Sequence, residues 1–230
     1  MSGPILFIAS DQRECRSWTA RWENARPLSL PVHWAMTGRW AGRDVIAVAN
    51  GVGPGHAAAA VGLAIPRPSA IVSIGTCGAL DPSLCIGDVF VPTEVRGGGR
   101  TWQVCPLAGP ASKSGPLISV TRIAATAAEK RELRSTGALA VEMESAGVAC
   151  ASEQLGVPFY CVRAVSDLAS EDFLNNFNDL IMPDGRFNIP RLLLGAVRRP
   201  VSRIPELFRL AQRTALASKN MGEFLARCSF

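Results

Sequence analysis

Histidine is scarce in this chain of 230 residues: only His33 and His56 occur. Two imidazoles so far apart do not make a zinc site, which gathers several His and Cys at short spacings. No CxxC pair occurs either. The Cys residues, at 15, 77, 85, 105, 150, 161 and 228, are odd in number, and several sit inside apolar runs. There Cys behaves as a small hydrophobe, so the pattern fits a reducing compartment, the cytoplasm, better than a disulfide framework. A secretory leader is also lacking. The first apolar run, Ile5 to Ala9, is too short and no basic stretch precedes it. Val45 to Pro66 carries no charge and is long enough to span a bilayer, but Asn50, Gly51, Gly53, Pro54, Gly55 and His56 interrupt its centre. A strand, a turn and an Ala-rich helix explain it better. No internal repeat is visible.

What is present points to a packed enzyme core. Hydrophobic residues make up 48% of the chain, enough for one large domain without staples. The net charge is +5, and it is local. Between Asp184 and Arg213 lie seven Arg and two acids; the remaining 17 basic and 17 acidic residues cancel (24 less seven, 19 less two). No face of the body is therefore marked for nucleic acid.

Apolar, β-branched runs alternate with helix signals. Strands are predicted at Pro4 to Ala9, Val45 to Asn50, Ala70 to Ile74, Asp88 to Val91, Leu117 to Val120, Leu139 to Met143 and Pro158 to Val165. Helices are predicted at His56 to Ala64 and Ser145 to Leu155, and polar residues follow the first strand from Ser10 to Arg16. This alternation predicts an α/β fold with helices on both faces of a sheet. Beyond it, Pro190 opens a short helix closing at Arg198-Arg199-Pro200. A longer helix follows Pro205, with Ile204, Leu207, Phe208, Ala211, Ala215, Met221 and Phe224 at helical spacing. The chain thus reads as one domain, 1–230, with a helical extension over 184–230.

Four segments carry chemistry. Gly51-x-Gly53-x-Gly55 follows a strand, yet His56 stands where a dinucleotide fingerprint needs its third Gly, and no acid stands about 20 residues on. It is either a tight turn or a set of N–H groups able to hold a ligand oxygen. Gly75-Thr76-Cys77-Gly78 ends a buried strand with small residues, which let a ligand approach the backbone. In Val141-Glu142-Met143-Glu144-Ser145, strand alternation would put both carboxylates on one face, where a polar ligand explains them better than a helix dipole does. Ser166-Asp167 puts a carboxylate at a strand end, as a helix cap or as a ligand group.

Taken in order, Gly53-Pro54-Gly55 with Ala57 to Ala60, Ile74 to Leu80, Ile86 to Thr93, Val141 to Ser145 and Val165 to Asp167 resemble the nucleoside phosphorylase and nucleosidase superfamily over about residues 4 to 172. Within it, the chain looks most like the methylthioadenosine/S-adenosylhomocysteine nucleosidases and the hopanoid-associated phosphorylases; Ala124 to Lys130 and Thr136 to Val141 point to the second. The resemblance implies a three-layer αβα sandwich around a mixed twisted sheet. It implies cleavage of the N-glycosidic bond of a purine (adenine) nucleoside, of a 5′-modified kind such as methylthioadenosine, S-adenosylhomocysteine or adenosylhopane. Asp167 matches the acid that donates a proton towards purine N7, and Glu144 the carboxylate that holds the ribose hydroxyls, with Met143 packed on the sugar. Glu14 matches the glutamate that activates water. Glu142, Ser166, Gly75 and Thr76 join them as substrate-binding candidates. No metal or other cofactor is implied, and a homodimer or larger homo-oligomer is expected.

That chemistry needs an acid protonated near neutral pH, which requires a raised pKa; the apolar run before Asp167 would supply the desolvation. Ser73 stands where phosphorylases of this family carry a phosphate-binding Arg, which favours water as nucleophile. Arg39 or Arg43 would have to substitute if phosphate were the co-substrate. The alternatives left open are a phosphorylase and a nucleoside-binding or membrane-peripheral module without turnover. The extension is expected to be either a cap on the core or, through 184–213, a basic element at the mouth of the site that touches a membrane surface.

Overall fold

The computed structural model describes residues 3–63, 67–197 and 200–230. Ala64, the expected end of the helix from His56, and the Arg198-Arg199 pair lie outside them. Four parallel strands form the middle of the sheet: β1 (Ile5–Ala9), β4 (Arg43–Ala49), β5 (Ala70–Ala79) and β10 (Phe159–Asp167). Every residue of β1 is buried, as expected of a strand covered on both faces. On one side β3 (Trp34–Trp40) and β2 (Glu23–Pro27) continue the sheet antiparallel. On the other, β6 (Val89–Gly97), β8 (Lys113–Ser119) and β9 (Ala140–Glu142) lead from β10 back to β5, closing a circuit of strands. A short β7 (Arg100–Gln103) pairs with β6.

Helices cover both faces, giving the expected three layers around a mixed sheet. α2 (Pro54–Leu63) and α4 (Ser145–Leu155) pack on one side, where Leu6, Ile8, Ala57, Ala60, Val148 and Ala149 share a core. α1 (Gln12–Thr19) and the last helix, α6 (Pro200–Leu225), pack on the other, where Phe7, Trp18, Val72 and Met221 meet. α1 begins with a reciprocal capping box: Asp11 accepts from the first turn, and Glu14 reaches back to it. α3 (Ala127–Ser135) has the same device in Thr126 and Glu129. α4 stops at Gly156, in the left-handed conformation that ends many helices.

The C-terminal helices depart from expectation. α5 (Ile189–Val197) matches the predicted short helix, but α6 starts at Pro200 and runs through Pro205. Its expected apolar stripe is split. Met221 and Phe224 are buried, whereas Phe208 is 67% exposed and Ala211 and Ala215 are exposed. Only the second half of α6 belongs to the core.

Candidate active site

The loops after β1 and β4 and the ends of β5 and β10 meet at one edge of the sheet, the C-terminal edge where open α/β sheets bind ligands. The backbone N–H of Gly51 donates to the Ser10 carbonyl at 2.9 Å, tying two of these loops together.

Glu14 projects into this edge from the first turn of α1 and is 6% exposed. Its Oε2 accepts from Ser10 N at 3.0 Å and from Ser10 Oγ at 2.8 Å. Its Oε1 accepts from Thr76 N at 2.8 Å and Thr76 Oγ1 at 3.2 Å. Thr76 therefore fixes Glu14 in place. The Gly75 to Gly78 run, expected at the end of a strand over Ala70 to Ile74, is itself part of β5. Gly75 matters there because it has no side chain: a Cβ would collide with Arg163 Nη1 and lie 2.9 Å from Glu14 Oε1.

Arg163 was not singled out by the sequence, although it alone breaks the apolar run of β10. It is 1% exposed and pairs in register with Gly75. Its Nη2 donates to Ser73 Oγ at 2.7 Å, Ser145 Oγ at 2.7 Å and Glu142 Oε2 at 2.5 Å. A cation thus enters from the neighbouring strand beside Ser73. Arg39 and Arg43 do not substitute. Arg39 pairs with exposed Asp44, and Arg43 binds the Phe230 carbonyl and Ser69 at the opposite end of β4. Burial opposes the charge on Arg163, but Glu142 and the other nearby acids more than offset it and hold the guanidinium charged.

Glu142 ends β9 and turns inward. Its Oε2 accepts from Glu144 N, Ser145 N and Ser145 Oγ as well as from Arg163. Its charge therefore has a protein partner, where the sequence suggested a ligand. Glu142 Oε1 and Arg163 Nε remain buried without a hydrogen-bond partner among the described residues.

Glu144 is the N-cap of α4, not a strand residue, and is 7% exposed. Its Oε1 accepts from Gly53 N at 3.0 Å, so the glycine loop holds an oxygen of this protein's own carboxyl. Burial, then the neighbouring Glu142, raise the Glu144 pKa to about 8. Desolvation disfavours the charged form, and a like charge adds to it. Met143, between the two acids, is 8% exposed.

Asp167 closes β10, 8% exposed, and caps no helix. Its Oδ2 accepts from Ser166 Oγ at 2.9 Å, and its Oδ1 from Lys130 Nζ at 2.5 Å. Lys130, on α3, is 1% exposed; its ammonium also donates to the Leu168 carbonyl and lies 5.2 Å from the Phe173 ring. Besides the apolar run of β10, a buried ammonium contacts Asp167. Gly78 leaves room for this carboxylate, since a Cβ there would sit 2.8 Å from Oδ1.

The beginning of the C-terminal extension touches the same edge. Val52 N donates to the Gly185 carbonyl at 2.9 Å, and a Cβ on Gly51 would strike the Asp184 carbonyl at 2.7 Å. Two surface clefts, of about 320 and 370 Å³, lie away from these carboxylates, beside β2–β4 and beside Asp88 and Lys113.

Comparison with known proteins agrees with this fold. The family model of the phosphorylase superfamily matches residues 31–112 and 103–182. A 5′-methylthioadenosine/S-adenosylhomocysteine nucleosidase of Bacillus subtilis is 26% identical over 228 residues, covering 85% of this chain and 98% of the relative. One from Staphylococcus aureus is 30% identical over 166 residues, 58% of this chain and 73% of the relative. Among solved structures, the Neisseria meningitidis nucleosidase of that name, in complex with methylthio-immucillin-A, superposes with a TM-score of 0.73 at 20% identity, covering 97% of this chain and 96% of the other. The Streptococcus pyogenes S-adenosylhomocysteine nucleosidase, bound to 5-methylthiotubericidin, gives 0.73 at 22% identity, covering 98% and 95%. With the fold and the family model in agreement, this chain belongs to the phosphorylase superfamily.

Proposed function

We propose that the protein hydrolyses the N-glycosidic bond of a 5′-modified adenosine without a cofactor. The observation that carries this is the meeting of Glu14 and Arg163 at the bare Cα of Gly75, with Glu144 and Asp167 at the same sheet edge. A purine leaves poorly as an anion, and the sugar becomes cationic as it departs. Asp167 supplies the proton at N7, drawing it from the Lys130 ammonium through their hydrogen bond, so that Lys130 ends as a neutral amine and the purine leaves uncharged. Glu144 accepts the ribose hydroxyls, with Met143 against the sugar. Glu14 takes the proton from the attacking water. Ser166 and Thr76 hold the two acids in place, and Gly75 keeps the path clear.

Charge favours water over phosphate. Arg163 is already matched by Glu142 and lies beside Glu14, so an incoming phosphate would meet carboxylates with no uncompensated cation among the described residues. The relatives named as 5′-methylthioadenosine/S-adenosylhomocysteine nucleosidases support the 5′-modified adenosine. The test is a panel of methylthioadenosine, S-adenosylhomocysteine, adenosylhopane, inosine and futalosine, with the free base measured by chromatography. Adenine release from at least one 5′-modified adenosine is expected. A folded protein that releases no base from any of them would be a binding module. We further propose that the enzyme works in the cytoplasm as a homo-oligomer; a monomer in sedimentation equilibrium would contradict the second point.

A further inference from the structure

The extension exposes side chains that ordinarily fill cores. In α5, Ile189, Leu193, Leu194 and Val197 are 47%, 54%, 61% and 65% exposed, and Ala196 is the buried one. Ile189, Leu193 and Val197 recur every four residues and so share one face. At the start of α6, Val201 is 90% and Phe208 67% exposed. The two helices are joined, because Arg203 Nη1 donates to the Gly195 carbonyl at 3.0 Å. Exposed bulky groups in such numbers mark an interaction surface.

The charge around these groups says what covers them. Arg186, Arg191 and Arg209 are exposed. Of the two acids between 184 and 213, Glu206 is buried and accepts from the backbone N–H groups of Leu174 and Asn175. The other, Asp184, already pairs with Arg186. The exposed charge is thus net positive. A second copy of the same face, related by a twofold axis, would set like charge against like charge. Nucleic acid would match the arginines but not the aliphatic side chains.

We propose that α5 and the first half of α6 dock on an anionic lipid bilayer, the aliphatic side chains entering the headgroup boundary and the arginines meeting lipid phosphates. Among the described residues no helix is long and apolar enough to cross a membrane, so the contact is peripheral. The 182–187 turn that precedes α5 rests on the Gly51–Val52 loop, which sets this surface beside the catalytic edge. The enzyme would then work at the membrane face.

The experiment is co-sedimentation of the whole protein with vesicles of phosphatidylcholine alone and of phosphatidylcholine with phosphatidylglycerol, at low and high salt. Binding to the anionic vesicles at low salt, and loss at high salt, is expected. Each basic residue near such a surface contributes about fivefold, so Arg191→Gln with Arg209→Gln should weaken binding about 25-fold. Leu193→Ser with Leu194→Ser should abolish it. Neither pair touches the site, so adenine release from a soluble nucleoside should be unchanged. Hydrogen exchange on the unmodified protein supplies a readout independent of variants: anionic vesicles should protect residues 189–208. The proposal is overturned by no binding at low salt, by binding without protection there, or by a Leu pair that instead dissociates an oligomer in solution.

Discussion

Replacing Asp167 with Asn should have two effects that can be measured apart. The first is chemical. The amide has no acidic proton to give, so base release should fall by about 10²–10⁴. The second follows from Lys130. Its ammonium is 1% exposed, and its only ion-pair contact among the described residues is Asp167 at 2.5 Å; the Leu168 carbonyl and the Phe173 ring are neutral, and Glu171 acts on it only through space. Breaking a buried pair by removing one partner costs about 3–5 kcal/mol, because the remaining charge stays buried. Asn keeps an acceptor oxygen, so the lower end applies. In a chain of this size about 3 kcal/mol lowers Tm by roughly 6–12 °C. Adding Lys130→Met to Asp167→Asn removes the stranded charge, and should recover much of that Tm but none of the activity. The assay is thermal melting of the wild type, both single variants and the double variant, with adenine release on each. The two stability changes should be strongly non-additive, by about 1–3 kcal/mol. Additive changes would refute the buried pair, and near-wild-type turnover by Asp167→Asn would remove Asp167 from the chemistry.

Three further predictions concern the other carboxyls. Assayed above pH 8, where Glu144 is ionised, Glu144→Gln should weaken turnover of ribosides far more than of 2′-deoxyribosides, since a carboxylate accepts hydroxyl hydrogen bonds more strongly than an amide; equal losses would remove the ribose clamp. Because the folded Glu144 pKa of about 8 lies above its ordinary 4.5, its contribution to stability is full below 4.5 and is lost as pH rises through 8. Denaturant melts of Glu144→Gln should therefore depend less on pH across that window, and an unchanged dependence would contradict the buried, raised carboxyl. Gly75→Ala should cost about 1–3 kcal/mol by overpacking against Arg163 and Glu14, with turnover falling too; a fully active, fully stable variant would place those groups elsewhere.

The sheet was legible because its central strands are apolar runs ended by small residues, and the strand-end acids stand at those boundaries. Elements carried by polar or mixed sequence were not. β2 is exposed throughout, and α1 reads as a polar stretch until its capping box is seen. Arg163 and Lys130 were missed for one reason: a buried cation is recognised by its partner, and Glu142 and Asp167 stand 21 and 37 residues away. Alternation placed Glu142 and Glu144 together, yet β9 ends at Glu142 and the chain turns into α4. One acid therefore faces Arg163 and the other the glycine loop. The stripe in α6 misled because helical spacing shows which residues share a face, not whether anything covers it.

Hydrolysis is tested most directly by following the sugar. Methylthioadenosine, or whichever 5′-modified adenosine the panel selects, is turned over in ¹⁸O-labelled water with and without phosphate, and the products are weighed by mass spectrometry. Adenine together with a free sugar carrying the label at C1, formed at a rate indifferent to phosphate, is the predicted result. A sugar 1-phosphate formed under initial-rate conditions would contradict it.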